Sequence, residues 1–270
     1  MDDRKKQLNG KTYAFILIVV LVIMMFLVQF FIMSLISNSL ALQMTKDSLT
    51  RIFAGSILLI VLYQTGYSIF QPKHKKLLPI ILVVIPGLLI AINNFPISAF
   101  IASRTELTEP FYVVYYFIVE CLSIGYFEEI AFRVILLTIL LQRLPKTKKG
   151  MFQAVLISSA VFGLIHLTNL FAGAGFAPTI MQVGYSFLTG AMLAVVYLKT
   201  KSFLAIVLLH ASYNFFGEVM FRLGAVSNRF DTITIVITVL LAIAVSLHYT
   251  YTLYKMESDQ LIDLYTPTSN

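Results

Sequence analysis

Glu128 and Glu129 stand side by side in a long apolar stretch, with Arg133 four residues further on. Two other apolar stretches hold His166 with Asn169, and His210 with Asn214 and Glu218. A charge at the centre of a bilayer costs roughly 3 kcal/mol on insertion scales, so such residues persist where they pair, line a cavity or do chemistry. Carboxylate and imidazole side chains are also the usual groups of general acid–base chemistry. Residues four apart on a helix share a face, whereas neighbours diverge by about 100°. Glu129 and Arg133 therefore lie together, while Glu128 points elsewhere and needs its own partner. By the same spacing Phe162 accompanies His166, and His210 accompanies Asn214. A structural ion pair would explain Glu129 and Arg133 by themselves, and a lone membrane histidine is more often a satisfied hydrogen-bonder than a catalyst. Two histidines, each with a helical companion, beside adjacent carboxylates favour a functional site.

The remaining polar residues read more plainly. Glu218 and Arg222 are spaced for a local ion pair, and Glu120 is expected to accept hydrogen bonds from a neighbouring helix. His74 sits in the basic stretch Lys73–Lys76 and His248 stands alone; neither is expected to be catalytic.

The elements that must position these residues are membrane helices. The chain is 59% hydrophobic and 12% charged, against about 25% charged in soluble domains. Hydrocarbon satisfies no backbone polar group, so each crossing needs about 20 mostly apolar residues in a helix. Eight such spans are expected: Thr12–Ile36, Leu49–Phe70, Leu77–Asn94, Phe111–Leu141, Met151–Phe171, Pro178–Leu198, Phe203–Phe221 and Thr232–Tyr254. The first is too long for a signal-peptide core and lacks a small-residue cleavage site after it, so it reads as a retained span. Pro79, Pro86 and Gly87 are candidates to kink the third. The expected fold is an all-α, polytopic transmembrane bundle in the cell membrane. Residues 1–11 form a cytoplasmic tail, residues 12–254 the bundle with a motif-bearing core at about 111–216, and residues 255–270 a second cytoplasmic tail.

The net charge of +7 does not point to nucleic acid, because the basic residues fall in short loops where orientation signals belong. With the N-terminus inside, 14 Lys and Arg residues face the cytoplasm, and only Lys46, Arg51, Arg104, Arg222 and Arg229 face out. Both termini are therefore expected to be cytoplasmic. There is no tryptophan, so Tyr13, Tyr112, Tyr197 and Tyr254 are the expected interfacial anchors. The single cysteine, Cys121, excludes a disulfide framework. The acidic tail holding Glu257, Asp259 and Asp263 reads as a solvated end.

Glu128-Glu129-x-x-x-Arg133, Phe162-x-x-x-His166 and His210-x-x-x-Asn214 resemble, in order, the three motifs of the CAAX-protease and bacteriocin-processing family of intramembrane proteases. The resemblance covers about Phe111 to Phe216, and one departure is Val134, where a glycine is common. It implies a helical bundle with a polar cavity, hydrolysing a peptide bond of a membrane-associated peptide or lipidated protein. Eukaryotic members trim prenylated C-a-a-X proteins, and prokaryotic members are associated with bacteriocin self-immunity and small-peptide processing.

In that frame Glu128 is the general base, His166 helps hold and polarise the water, and His210 and Asn214 stabilise the oxyanion. Glu129 and Arg133 form a supporting pair that fixes the helix and tunes Glu128. A second route uses the same residues: Glu128, His166 and His210 would supply two histidines and one carboxylate to Zn2+, leaving one position for water. The sequence has no His-Glu-x-x-His helix, and both routes stay open at this point. There is no Gly-x-Ser-Gly for a rhomboid-type enzyme, no Gly-x-Gly-Asp, and no aspartate inside an expected span. Buried Glu, His and Arg would equally serve a transporter or proton relay, although no inverted repeat is visible. A non-catalytic immunity or scaffold protein is the third reading.

Overall fold

The computed structural model describes residues 39–64 and 77–256. The expected first span Thr12–Ile36, the N-terminal tail, Tyr13, the basic stretch with His74, and the tail beyond Met256 lie outside the described residues.

Among the described residues the chain is all-α apart from one short ribbon. Helix α1 (Leu40–Gln64), α2 (Leu77–Asn93) and the short α3 (Ile97–Ile101) lead into strand β1 (Thr105–Leu107). Helix α4 (Val113–Glu129) continues through a π-helical segment (Ile130–Leu137) into α5 (Thr138–Arg143). Helix α6 (Lys148–Leu164) ends in a 3-10 segment (Ile165–Leu170), followed by α7 (Phe176–Thr200) and α8 (Phe203–Arg222). Strand β2 (Gly224–Val226) and α9 (Thr232–Tyr254) complete it. β1 and β2 pair antiparallel, Thr105 opposite Val226 and Leu107 opposite Gly224, which ties the chain before α4 to the chain after α8.

Helix starts follow from capping. Thr147, Ser202 and Asp231 each accept a hydrogen bond from the backbone N–H three residues on, satisfying an otherwise orphan donor. In α2, Pro86 lacks the N–H that would continue the ladder. The Tyr249 hydroxyl fills the adjacent rung: it donates to Val83 O at 2.8 Å and accepts from Gly87 N at 3.1 Å. Helix α9 is thereby fastened to the proline turn of α2.

Among the described residues four helical stretches are long and apolar enough to cross a membrane: Lys148–Leu170, Phe176–Thr200, Phe203–Arg222 and Thr232–Tyr254. Helix α9 exposes Ile233, Val236, Leu240, Ile243 and Leu247. In water so large an apolar surface would drive association, whereas in lipid it is the ordinary outer face. The protein is a multi-pass membrane protein.

Three expectations need correction. Helix α1 begins at Leu40 rather than Leu49 and so takes in Lys46 and Asp47, because Met44 and Ser48 on its first turns are buried in the bundle. Asp47 lies 3.9 Å from Arg51, one turn on in the same helix. Tyr197 is no interfacial anchor: it is buried with most of the C-terminal half of α7, while Tyr112 and Tyr254 are exposed. Arg222 does not pair with Glu218. Its Nη2 reaches Glu120 at 3.3 Å, and Arg51 Nη1 reaches the same carboxylate at 3.6 Å. Glu120 is buried on α4, and burial makes an ionic partner worth more there than at exposed Glu218.

Candidate active site

Helix α4 and its π-helical continuation deliver the carboxylates. Glu128 and Glu129 close the α-helical part, and Arg133 lies in the π-helical turns that follow. A π segment is uncommon and recurs at functional sites, since its looser turn frees backbone groups for other partners. Here the Phe132 carbonyl accepts from Ser158 Oγ of α6 at 3.1 Å.

Gly125, one turn before Glu129, sets the approach of α8. A Cβ there would stand 2.9 Å from Val207 O and 3.5 Å from His210 Cβ. Without it the two backbones come close, and His210 reaches Glu129. Glu129 Oε1 lies 2.6 Å from His210 Nδ1 and 2.9 Å from Arg133 Nη1. Held by the guanidinium as a carboxylate, Glu129 can only accept, so Nδ1 carries the proton and donates. Nε2 is then the ring atom turned toward Glu128, whose Oε2 is 3.6 Å away. That separation is too long for a direct hydrogen bond and suits a bridging water or a reacting atom.

Burial grades the group. Glu129, Arg133 and His210 are buried, and the Glu128 side chain keeps 24% of its surface exposed. The inner three form a fixed frame, and Glu128 is the member a substrate could reach.

Phe162 is the platform between them. Its ring packs edge-on against Phe132, His166 and His210, with centroids 4.9, 5.6 and 5.9 Å away, and the Arg133 guanidinium lies 4.2 Å from its centroid. A desolvated cation over an aromatic face is worth about 2 kcal/mol. This offsets part of the cost of Arg133 Nε, Arg133 Nη2 and Glu129 Oε2, which are buried without hydrogen-bond partners among the described residues. Gly190 of α7 leaves the space: a Cβ there would stand 3.0 Å from the Phe162 ring and 3.2 Å from Arg133 Nη2.

His166 sits in the 3-10 segment rather than in the α-helix, half-buried, with its ring edge-on to Phe162. Asn214 lies one turn beyond His210 on α8, half-buried and without a side-chain hydrogen bond among the described residues. Thus Glu128, Glu129, Arg133 and His210 meet directly, and His166 joins through Phe162. Asn214 is adjacent but uncommitted. Glu129 differs from expectation in touching His210 rather than acting on Glu128 alone. His248 packs edge-on against Tyr249, away from this group.

Glu128, His166 and His210 do not assemble into a three-donor metal set; among the described residues no group of three or more His, Cys, Asp or Glu side chains is arranged to hold an ion. His210 Nε2 and Glu128 Oε2 face each other, and His166 does not close the set.

Gly125, Gly190, Ser158 and Gln182, which bonds Asn169, were not visible as site residues in the sequence. The only available signal was a small residue at helical spacing from a charged one.

Two of the three motifs are thus in direct contact, and the third is joined through Phe162. Residues 110–216 match the family Type II CAAX prenyl endopeptidase Rce1-like. The Rce1-like stretch runs from just before α4 to Phe216 of α8 and contains Glu128, Glu129, Arg133, Phe162, His166, His210 and Asn214. It supports a CAAX-type intramembrane protease. Comparison with curated proteins and with solved structures gives no match.

Proposed function

We propose that the protein is an endopeptidase that hydrolyses a peptide bond of a membrane-associated, C-a-a-X-type substrate by a water activated at Glu128. The observation that carries this reading is the pairing of Glu128 Oε2 with His210 Nε2 at 3.6 Å, with the opposite ring nitrogen held by Glu129. Glu128 takes a proton from water as its oxygen attacks the carbonyl carbon. His166 holds that water from the other side. The tetrahedral oxyanion receives hydrogen bonds from Asn214 Nδ2 and from His210 Nε2 when that nitrogen is protonated. Glu128 then returns its proton to the leaving nitrogen as the C–N bond breaks. Glu129 keeps His210 in one orientation, and Arg133 keeps Glu129 charged in its buried position.

In this reading residues 12–254 are one bundle of eight spans with its catalytic core at 111–216, and both tails are cytoplasmic. The substrate is a peptide or lipidated protein presented from the bilayer.

The test is cleavage of a farnesylated, internally quenched C-a-a-X peptide by the purified full-length protein. Glu128→Gln should lower the rate at least about 100-fold with thermal survival unchanged. A chelator should leave the wild-type rate unaltered, since no step runs through a metal. Full activity in Glu128→Gln would refute the assignment; chelator inhibition reversed by zinc would reinstate the metal route.

A further inference from the structure

Asn169 and Gln182 form a polar pair beside the site that the mechanism above does not use. Asn169 lies three residues after His166 in the 3-10 segment, where residues three apart eclipse one another. It is therefore stacked on the His166 side of that segment. Asn169 Nδ2 donates to Gln182 Oε1 of α7 at 2.8 Å. Each side chain then has one polar group left over: Asn169 Oδ1 is an acceptor and Gln182 Nε2 a donor. Neither has a further side-chain hydrogen bond among the described residues, and both residues are half-buried, so these groups are reachable. Tyr185, one turn along α7 from Gln182, is 41% exposed, so the path to the pair is not closed.

An amide pair with a carbonyl left over on one residue and an NH2 on the other is complementary to a peptide backbone, which offers one N–H and one C=O per residue. A substrate entering from hydrocarbon needs such partners, because lipid supplies none. We propose that Asn169 and Gln182 are the substrate-backbone clamp: Asn169 Oδ1 accepts a substrate N–H and Gln182 Nε2 donates to a substrate carbonyl next to the scissile bond. The inference rests on the endopeptidase reading. It adds that recognition near the cut is by main chain, so the enzyme tolerates varied side chains there.

The experiment uses the full-length protein in nanodiscs with the same farnesylated quenched peptide, and a second peptide in which one backbone amide flanking the scissile bond is replaced by an ester. The ester removes an N–H donor without changing the side chains. One flanking ester should lower wild-type kcat/KM about five- to tenfold, the worth of one neutral hydrogen bond, through KM. Asn169→Leu should cleave the all-amide peptide about as poorly and should not distinguish it from the ester. Gln182→Glu keeps the oxygen that accepts from Asn169 and replaces the free donor with a second acceptor oxygen. It should therefore raise KM with thermal survival unchanged, which a purely structural pin would not do. If ester and amide peptides differ equally in wild type and Asn169→Leu, or if Gln182→Glu keeps wild-type KM, the clamp is overturned while the protease stands. If no Glu128-dependent cleavage occurs, the reading beneath it falls, and the clamp falls with it.

Discussion

His210 Nδ1 donates to Glu129 Oε1 at 2.6 Å, joining the middle of α8 to the last turn of α4 across 81 residues of sequence. Because Arg133 Nη1 holds the same oxygen at 2.9 Å, one carboxylate atom serves two partners, and the imidazole, the guanidinium and the helix carrying both glutamates form one rigid unit. Glu128, next in sequence, is free of that unit and keeps part of its surface exposed. Adjacent carboxylates thus have different surroundings because the helix points them in different directions.

Breaking that unit should damage folding as well as turnover. Removing one partner of a buried pair leaves an uncompensated charge, at a cost of about 3–5 kcal/mol. Arg133→Ala and Glu129→Ala should each reduce folded yield and heat survival on size-exclusion chromatography. The double variant should lose much less than the two single losses added together. Additive losses would show that the two residues do not act as a pair.

Gly125 should tolerate no bulk. Its missing Cβ lets Val207 O approach, so Gly125→Val forces α4 and α8 apart beside His210. Overpacking of this kind costs about 1–3 kcal/mol, and cleavage should fall further than stability does. Gly184→Ala on α7 is the comparison, because a Cβ there meets nothing within 4 Å. Both rate and heat survival are expected to stay at wild-type level in that variant.

Acid should loosen the end of the bundle where α3 meets α9. The Ser98 hydroxyl, the Thr234 backbone N–H and Arg104 Nη2 all donate to Asp231, holding its carboxyl well below the usual carboxylate range. A group whose folded value is depressed stabilises the fold above its unfolded value of about 3.9 and loses that contribution as pH falls toward the folded value. Asp231→Asn should therefore lower heat survival at pH 7, and the gap to wild type should begin to narrow below about pH 4. A gap that stays constant down to pH 3 would place the stabilisation elsewhere.

Orientation is testable at two exposed loop positions. In a Cys121→Ala background, Lys146→Cys before α6 should react with an impermeant maleimide only after the membrane is opened. Ser227→Cys before α9 should react in intact cells. The reverse pattern would invert the bundle and its 14-to-5 charge bias.

The sequence by itself determined the solvent, the helices and the chemical inventory. Apolar runs of membrane length must be helical because lipid leaves the backbone no other partner, and α9 spans Thr232–Tyr254 as read. Spacing of four put Arg133 beside Glu129 and sent Glu128 elsewhere, since that is a local property of one helix. Tertiary structure decided everything that depends on which helices touch. Spacing offered Arg222 to Glu218, but the buried carboxylate of Glu120 on another helix took it. Tyr197 looked interfacial until α7 was packed inside the bundle. No pattern within one stretch could show that Gly125 admits α8, or that Phe162 would lie under Arg133 and between both histidines. Periodicity records which face a residue occupies, but the partner on that face is fixed only when the helices pack.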